Sequence, residues 1–170
     1  MVDKIINLID LINEKISRWV SVLVIALILT LSYEVMARYA FGQPTQWSFD
    51  LTYFLSSAFL ILSMANTWKY NEHVEVDLIS SKMPRRVRAI INIIFTLGLF
   101  FFSWGYIAKV MYANVARSWA IKELSTIGFT PPIYPYKTWI LVGILMLLLQ
   151  GVSQLIKELI ALKKGEDYER

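Results

Sequence analysis

MARYAFGQPTQWSFDL, residues 36–51, joins two long apolar runs. Arg38 stands where the first run should be leaving hydrocarbon, and Asp50 opens the second. Tyr39, Phe41 and Trp47 lie between them, together with Gly42 and Pro44. Charges and aromatic rings at the seam of two apolar runs are what a helix pair crossing lipid needs at its interface. Outward from this seam the sequence holds four apolar stretches, at about 19–37, 48–68, 89–112 and 138–156. Each is close to the roughly 20 residues that carry an α-helix across a hydrocarbon core. The chain has 170 residues, 56% of them hydrophobic, with a mean hydropathy of +0.51, so little is left for a soluble domain. The reading is an all-α membrane protein with four transmembrane helices in a single integral-membrane domain, residues 1–170.

Basic residues orient it. Lys4, Lys15 and Arg18, then Lys69, Lys82, Arg85, Arg86 and Arg88, then Lys157, Lys163, Lys164 and Arg170 fall on one side. Arg38, Arg117, Lys122 and Lys137 fall on the other, with Lys109 inside the third span near that side. The positive-inside rule then places both termini and the second loop in the cytoplasm. Residues 1–18 carry Asp3, Asp10 and Glu14, which do not suit a cleaved signal peptide. Val2, Ile5, Ile9, Ile12, Ile16 and Trp19 recur at spacings of three and four. This predicts an amphipathic helix lying in the cytoplasmic interface before it turns into span one. The simpler alternative is a cytoplasmic extension of span one.

Cysteine is absent, which excludes disulfides, thiolate metal sites and cysteine nucleophiles. His73 is the single histidine, so one chain cannot supply a bis-histidine haem. A pI near 9.3 does not point to nucleic acid, because the basic residues flank the spans.

Glu34 and Arg38 are four apart and pair on one helix face. Asp50 could reach Arg38 from span two. An unpaired charge in hydrocarbon costs about 2.5–3.5 kcal/mol on insertion scales, so these groups need partners or water. A structural clasp of Glu34, Arg38, Tyr39, Trp47 and Asp50, or a snorkelling interfacial cluster with Tyr39, Phe41 and Trp47 as its aromatic belt, is favoured over a proton relay, because the cluster sits at the end of the spans. In span two, Thr52, Ser56, Ser63 and Asn66 with Ala58 and Ala65 read as a packing face able to hydrogen-bond across helices. Asn92, Thr96, Gly98 and Gly105 in span three, and Gly143, Gln150, Gly151 and Gln154 in span four, read the same way. The second loop sets His73, Glu75 and Asp77 among Val74, Val76 and Leu78, too weak a set for a metal. Pro84 begins the turn into span three, where Arg85, Arg86 and Arg88 are interface anchors, as is Trp19 in span one. In the outer loop, Pro131, Pro132 and Pro135 are expected to stop any helix. Trp119, Phe129, Tyr134, Tyr136 and Trp139 make that loop aromatic, and Arg117, Lys122 and Lys137 are candidate contacts for an external protein.

The chain has no nucleophile–base pair, phosphate loop or metal cluster, and no span is interrupted by proline or paired glycines. Transporters build their sites from broken helices in repeats. Continuous spans with small packing faces read as a scaffold.

The ordered set Arg38-Tyr39, Phe41-Gly42, Trp47 and Asp50, then His73-Val74-x-Val76-Asp77, a proline before span three, and Ser125-Thr126-x-Gly128-x-x-Pro131 resembles the small membrane subunit of tripartite ATP-independent periplasmic (TRAP) transporters, the DctQ-like family. Asp50 stands where that family more often has glutamate. The resemblance covers essentially the whole chain. It implies a static scaffold in a bacterial inner membrane, paired with a large subunit that holds the substrate and sodium sites and makes an elevator motion. It also implies a periplasmic binding protein delivering a carboxylate such as a C4-dicarboxylate, keto acid or sialic acid, with membrane lipids as further partners. No cofactor and no enzymatic activity are expected of this chain. The competing readings are a self-sufficient four-span proton-coupled exporter using Glu34, and a membrane anchor for a redox or enzyme complex.

Overall fold

Hydrocarbon offers backbone N–H and C=O groups no partners, so each apolar run must satisfy its own as a helix. The computed structural model describes residues 2–69, 84–126 and 130–164. Its elements are α1 (Val2–Ala40) and α2 (Gln46–Lys69), then α3 (Arg85–Phe95), a π-helical turn (Thr96–Phe101) and α4 (Phe102–Ile121) as one rod, and α5 (Tyr134–Lys164). Among the described residues, four rods are long and apolar enough to cross a membrane, as a multi-pass membrane protein requires. Asp10 of α1 meets Lys157 of α5, so the start of the first helix and the end of the last share one face of the bundle. We refer to this as the terminal face and to the opposite one as the hairpin face.

Contrary to the expected turn after residue 18, α1 runs unbroken for 39 residues. No glycine or proline interrupts it. Ile6, Asn13, Val20, Thr30, Glu34 and Ala37 are buried, with Ile16 and Leu23 packed against the core. That spacing averages 3.5 residues, the repeat that keeps one seam of a helix facing its neighbours. The outer part of the stripe read from the sequence faces away, with Trp19 72% and Ile12 44% exposed. The N-terminal segment is thus an extension of span one.

The core is Val20, Leu62, Ala65 and Met146, with Ala58, Phe59, Ile61 and Val142 around it. It therefore belongs to α1, α2 and α5. Gly143 sets the approach of α5 to α2: a Cβ there would lie 2.7 Å from Ile61 Cγ1 and 3.1 Å from its backbone carbon. The small-residue face of α2 packs as expected, and Ala65 is fully buried. Three of the α2 hydroxyls bond backward along their own helix rather than across it. Ser56 donates to Thr52 O, Ser63 to Phe59 O and Thr67 to Ser63 O, each within α2. The carbonyl one turn back is nearer than any neighbouring helix.

The third span stands outside this core, with none of its most apolar stretch buried. Pro84 opens it, and its carbonyl accepts from Val87 N and Arg88 N. The rod is not uniformly α-helical, because the π-helical turn falls in its middle. That wider turn seats Phe100 against Gly151, where a Cβ would come within 2.5 Å of the ring. The Phe100 ring also meets Trp68 edge-on, with centroids 4.4 Å apart. Gly98 and Gly105 face open space and are not packing residues.

Gly143→Ala should therefore destabilise the bundle by about 1–3 kcal/mol, since Ile61 backbone cannot give way. Gly105→Ala, which meets nothing within 4 Å, should be neutral or stabilising by up to about 1 kcal/mol. Thermal unfolding of both variants in detergent checks the contrast.

Candidate functional site

The polar groups of the chain gather into clasps at the two faces of the bundle. At the hairpin face, Gly42 turns the chain with φ +63°, a conformation glycine adopts without strain. The turn returns the start of α2 to the last turns of α1. Glu34 Oε1 accepts from Arg38 Nη2 at 2.6 Å and Nε at 3.1 Å. Its Oε2 accepts from Thr45 N at 3.0 Å and Ser48 Oγ at 2.8 Å. The Thr45 hydroxyl donates to the same oxygen. A carboxylate of α1 thus caps the N-terminus of α2, where free N–H groups and the helix dipole favour an anion.

The expected clasp forms in part. Glu34 and Arg38 pair, but the bonds of Arg38 run to Glu34 and not to Asp50. Asp50 is buried and is approached at 3.5 Å by Ser125 Oγ of the outer loop. Trp47 packs on Tyr33 with the rings tilted by 36° and centroids 5.5 Å apart. Tyr39 points outward, 82% exposed. Thr45 and Ser48 are members that sequence reasoning missed. The threonine just before α2 has the residue type of a helix N-cap, which could have found it.

The outer loop is a short hairpin. Ser125 N donates to Pro131 O at 2.8 Å and Ile133 N to Glu123 O at 2.9 Å. Lys122 reverses the chain at φ 48°. Pro135 does not stop a helix as expected, because it lies in the first turn of α5, where a missing N–H costs nothing. Glu123 gathers Lys137 Nζ at 2.5 Å and Ser118 Oγ at 2.6 Å. These two donors, lysine first, hold its carboxyl below the ordinary glutamate pKa. Trp119 Nε1 donates to Thr138 Oγ1 at 2.9 Å, and its ring packs on Tyr134. Lys137, a candidate external contact by sequence, is turned inward onto Glu123 and Asn114. Arg117 and Lys122 remain exposed.

At the terminal face, Asp10 is the centre. It accepts from Lys157 Nζ at 2.7 Å, Gln150 Nε2 at 3.1 Å and Ser153 Oγ at 3.2 Å. Asn13 Nδ2 donates to Gln150 Oε1 at 2.7 Å, and Asn13, Gln150 and Ser153 are fully buried or nearly so. Lys69 of α2 joins through Glu14 at 2.8 Å, and Asn92 of α3 donates to Glu158 at 3.0 Å. Sequence reasoning assigned Asp10 no contact with another span. The seven-residue interval from Ile6 to Asn13 to Val20 is the signal that would have turned this face inward.

Trp19 is exposed and Arg88 is half-buried. His73, Val74, Val76 and Asp77, and the side chains of Arg85 and Arg86, lie outside the described residues.

A family model for the DctQ component of tripartite ATP-independent periplasmic transporters matches residues 27–161. The chain belongs to this family. The match takes in the Glu34 clasp, the outer hairpin and the α5 half of the terminal clasp, while Asp10 and Asn13 precede it. No individually curated protein matches the chain. In both clasps the polar groups bond from one helix to another within the chain.

Asp10→Ala should cost about 2 kcal/mol or more, because it strips acceptors from buried donors. Arg18→Ala, at a pair 3.4 Å apart and open to water, should cost under about 1 kcal/mol. Detergent melting curves compare them. Glu123→Gln should lower the melting temperature at neutral pH. A depressed carboxyl contributes its stability above the ordinary pKa and loses it as pH falls through the lowered value. The gap between wild type and variant should therefore close on acidification, as melting at stepped pH would record.

Proposed function

We propose that the chain is the static small membrane subunit of a sodium-coupled TRAP importer. In this reading a large membrane subunit carries the substrate, the sodium ions and the elevator motion. A periplasmic binding protein delivers a carboxylate of the C4-dicarboxylate, keto acid or sialic acid type. The terminal face is cytoplasmic, following the basic residues, and the hairpin face is periplasmic, in a bacterial inner membrane. The small subunit anchors the large one and widens the rigid body against which it slides.

Besides the family, one observation carries this reading. The buried polar residues Asn13, Thr30, Glu34, Ser48, Asp50, Ser118, Gln150 and Ser153 all bond within the chain. A coupling carboxylate needs a free lone pair in a wet cavity at mid-depth. Both oxygens of Glu34 are engaged, at the end of the span. The exposed Arg117 and Lys122 leave the hairpin face cationic, which suits contact with the binding protein.

Uptake in proteoliposomes tests the reading, with the chain alone and with its large subunit and binding protein. Sodium-driven uptake only by the complete set is expected, and Glu34→Gln should leave the sodium dependence unchanged. Uptake by the chain alone, or loss of sodium dependence in an assembled Glu34→Gln complex, would contradict it.

A further inference from the structure

The first, second and fourth rods cover one another, whereas the third touches chiefly α5. Its inner face holds Val115 and Ser118, both buried. The opposite face presents Phe102, Tyr106, Lys109, Ala113 and Arg117, at helical spacings of three and four and all exposed. Phe102 and Tyr106 are 78% and 67% exposed. No hydrogen bond or ion pair joins Tyr106 or Lys109 to the described chain.

Depth makes these two residues unusual. Asn114 is level with Lys137, whose ammonium lies 3.3 Å from it, and both belong to the polar hairpin face. Lys109 sits roughly 7 Å below Asn114 along the helix, and Tyr106 roughly 12 Å below. The rod runs outward from Arg85 to Ile121. Side chains on a helix lean toward its N-terminus, so both residues lean toward the membrane centre, away from the outer headgroups. Snorkelling to an outer phosphate would work against that lean for Lys109, and Tyr106 is a turn deeper. A cation and a hydroxyl held in hydrocarbon without an acceptor are costly. An acceptor from a neighbouring helix removes that cost.

We propose that this face of α4 is the seat of a transmembrane helix of the large subunit that carries a carboxylate in the outer third of the bilayer. The carboxylate accepts from Lys109 and from Tyr106 one turn below. Ala113 lets the two backbones approach, and Phe102 packs beneath. This inference rests on the reading that the chain pairs with a large membrane subunit.

The test co-expresses the chain with that subunit and measures how much is retained on a tag carried by the small chain. Wild type and Lys109→Arg should retain it equally. Lys109→Glu should retain about tenfold less, by placing like charges together, while melting with wild type when purified alone. Retention by Lys109→Glu within about twofold of wild type overturns the proposal. A second readout does not depend on the charge change. Because the chain lacks cysteine, a photoactivatable label on Ala113→Cys reports this face alone. Adducts with the large subunit are expected, and adducts with lipid only would overturn the proposal. If wild type retains no large subunit at all, the functional reading itself fails and takes this inference with it.

Discussion

Lipid solvates no polar group, and the carboxylate of Glu34 is where that constraint bears hardest on this chain. A single anion receives an arginine from its own helix and the first backbone and side-chain donors of the next. It thereby fixes where α1 ends, where α2 begins and how the two are joined. Asp10 performs the corresponding task at the other face, tying α1 to α5 through Lys157, Gln150 and Ser153. Between these two polar ends the helices need only complementary surfaces. Gly143 supplies closeness there, and the heptad spacing of α1 supplies register.

The same logic separates the rods into a body and an arm. Helices α1, α2 and α5 are joined at both faces and share a core. The third rod is fastened at its ends through Asn92 and the outer hairpin, and at its middle by Phe100 against Gly151. Its remaining surface is open. A body braced at both faces with one face left uncovered is a form suited to holding a second membrane protein.

Much of this was legible in the sequence. The four spans, the Glu34–Arg38 pair and the close-packing glycines of span four follow from hydropathy and from helical spacing. Other features were not legible, for identifiable reasons. Asp10 and Asn13 look like wet residues until Gln150 and Lys157 are brought to them, and those partners are more than a hundred positions away. Lys137 looks like a free cation until the hairpin returns Glu123 to it. The π-helical turn carries no proline to announce it, and Gly98 alone does not distinguish it from a regular helix. Hydroxyls in α2 can bond across or backward: Ser56, Ser63 and Thr67 take the carbonyl one turn back, whereas Ser48 crosses to Glu34.

A static small subunit must stay one rigid body throughout transport. The most direct measurement is a distance distribution by pulsed electron spin resonance in the assembled transporter. Spin labels would sit on Leu29→Cys in α1 and Leu149→Cys in α5, both exposed and placed in a chain without native cysteine. A single narrow distance is expected, unchanged by sodium, substrate or the binding protein. A second distance, or a shift when substrate and sodium are added, would contradict it and make this subunit a moving part.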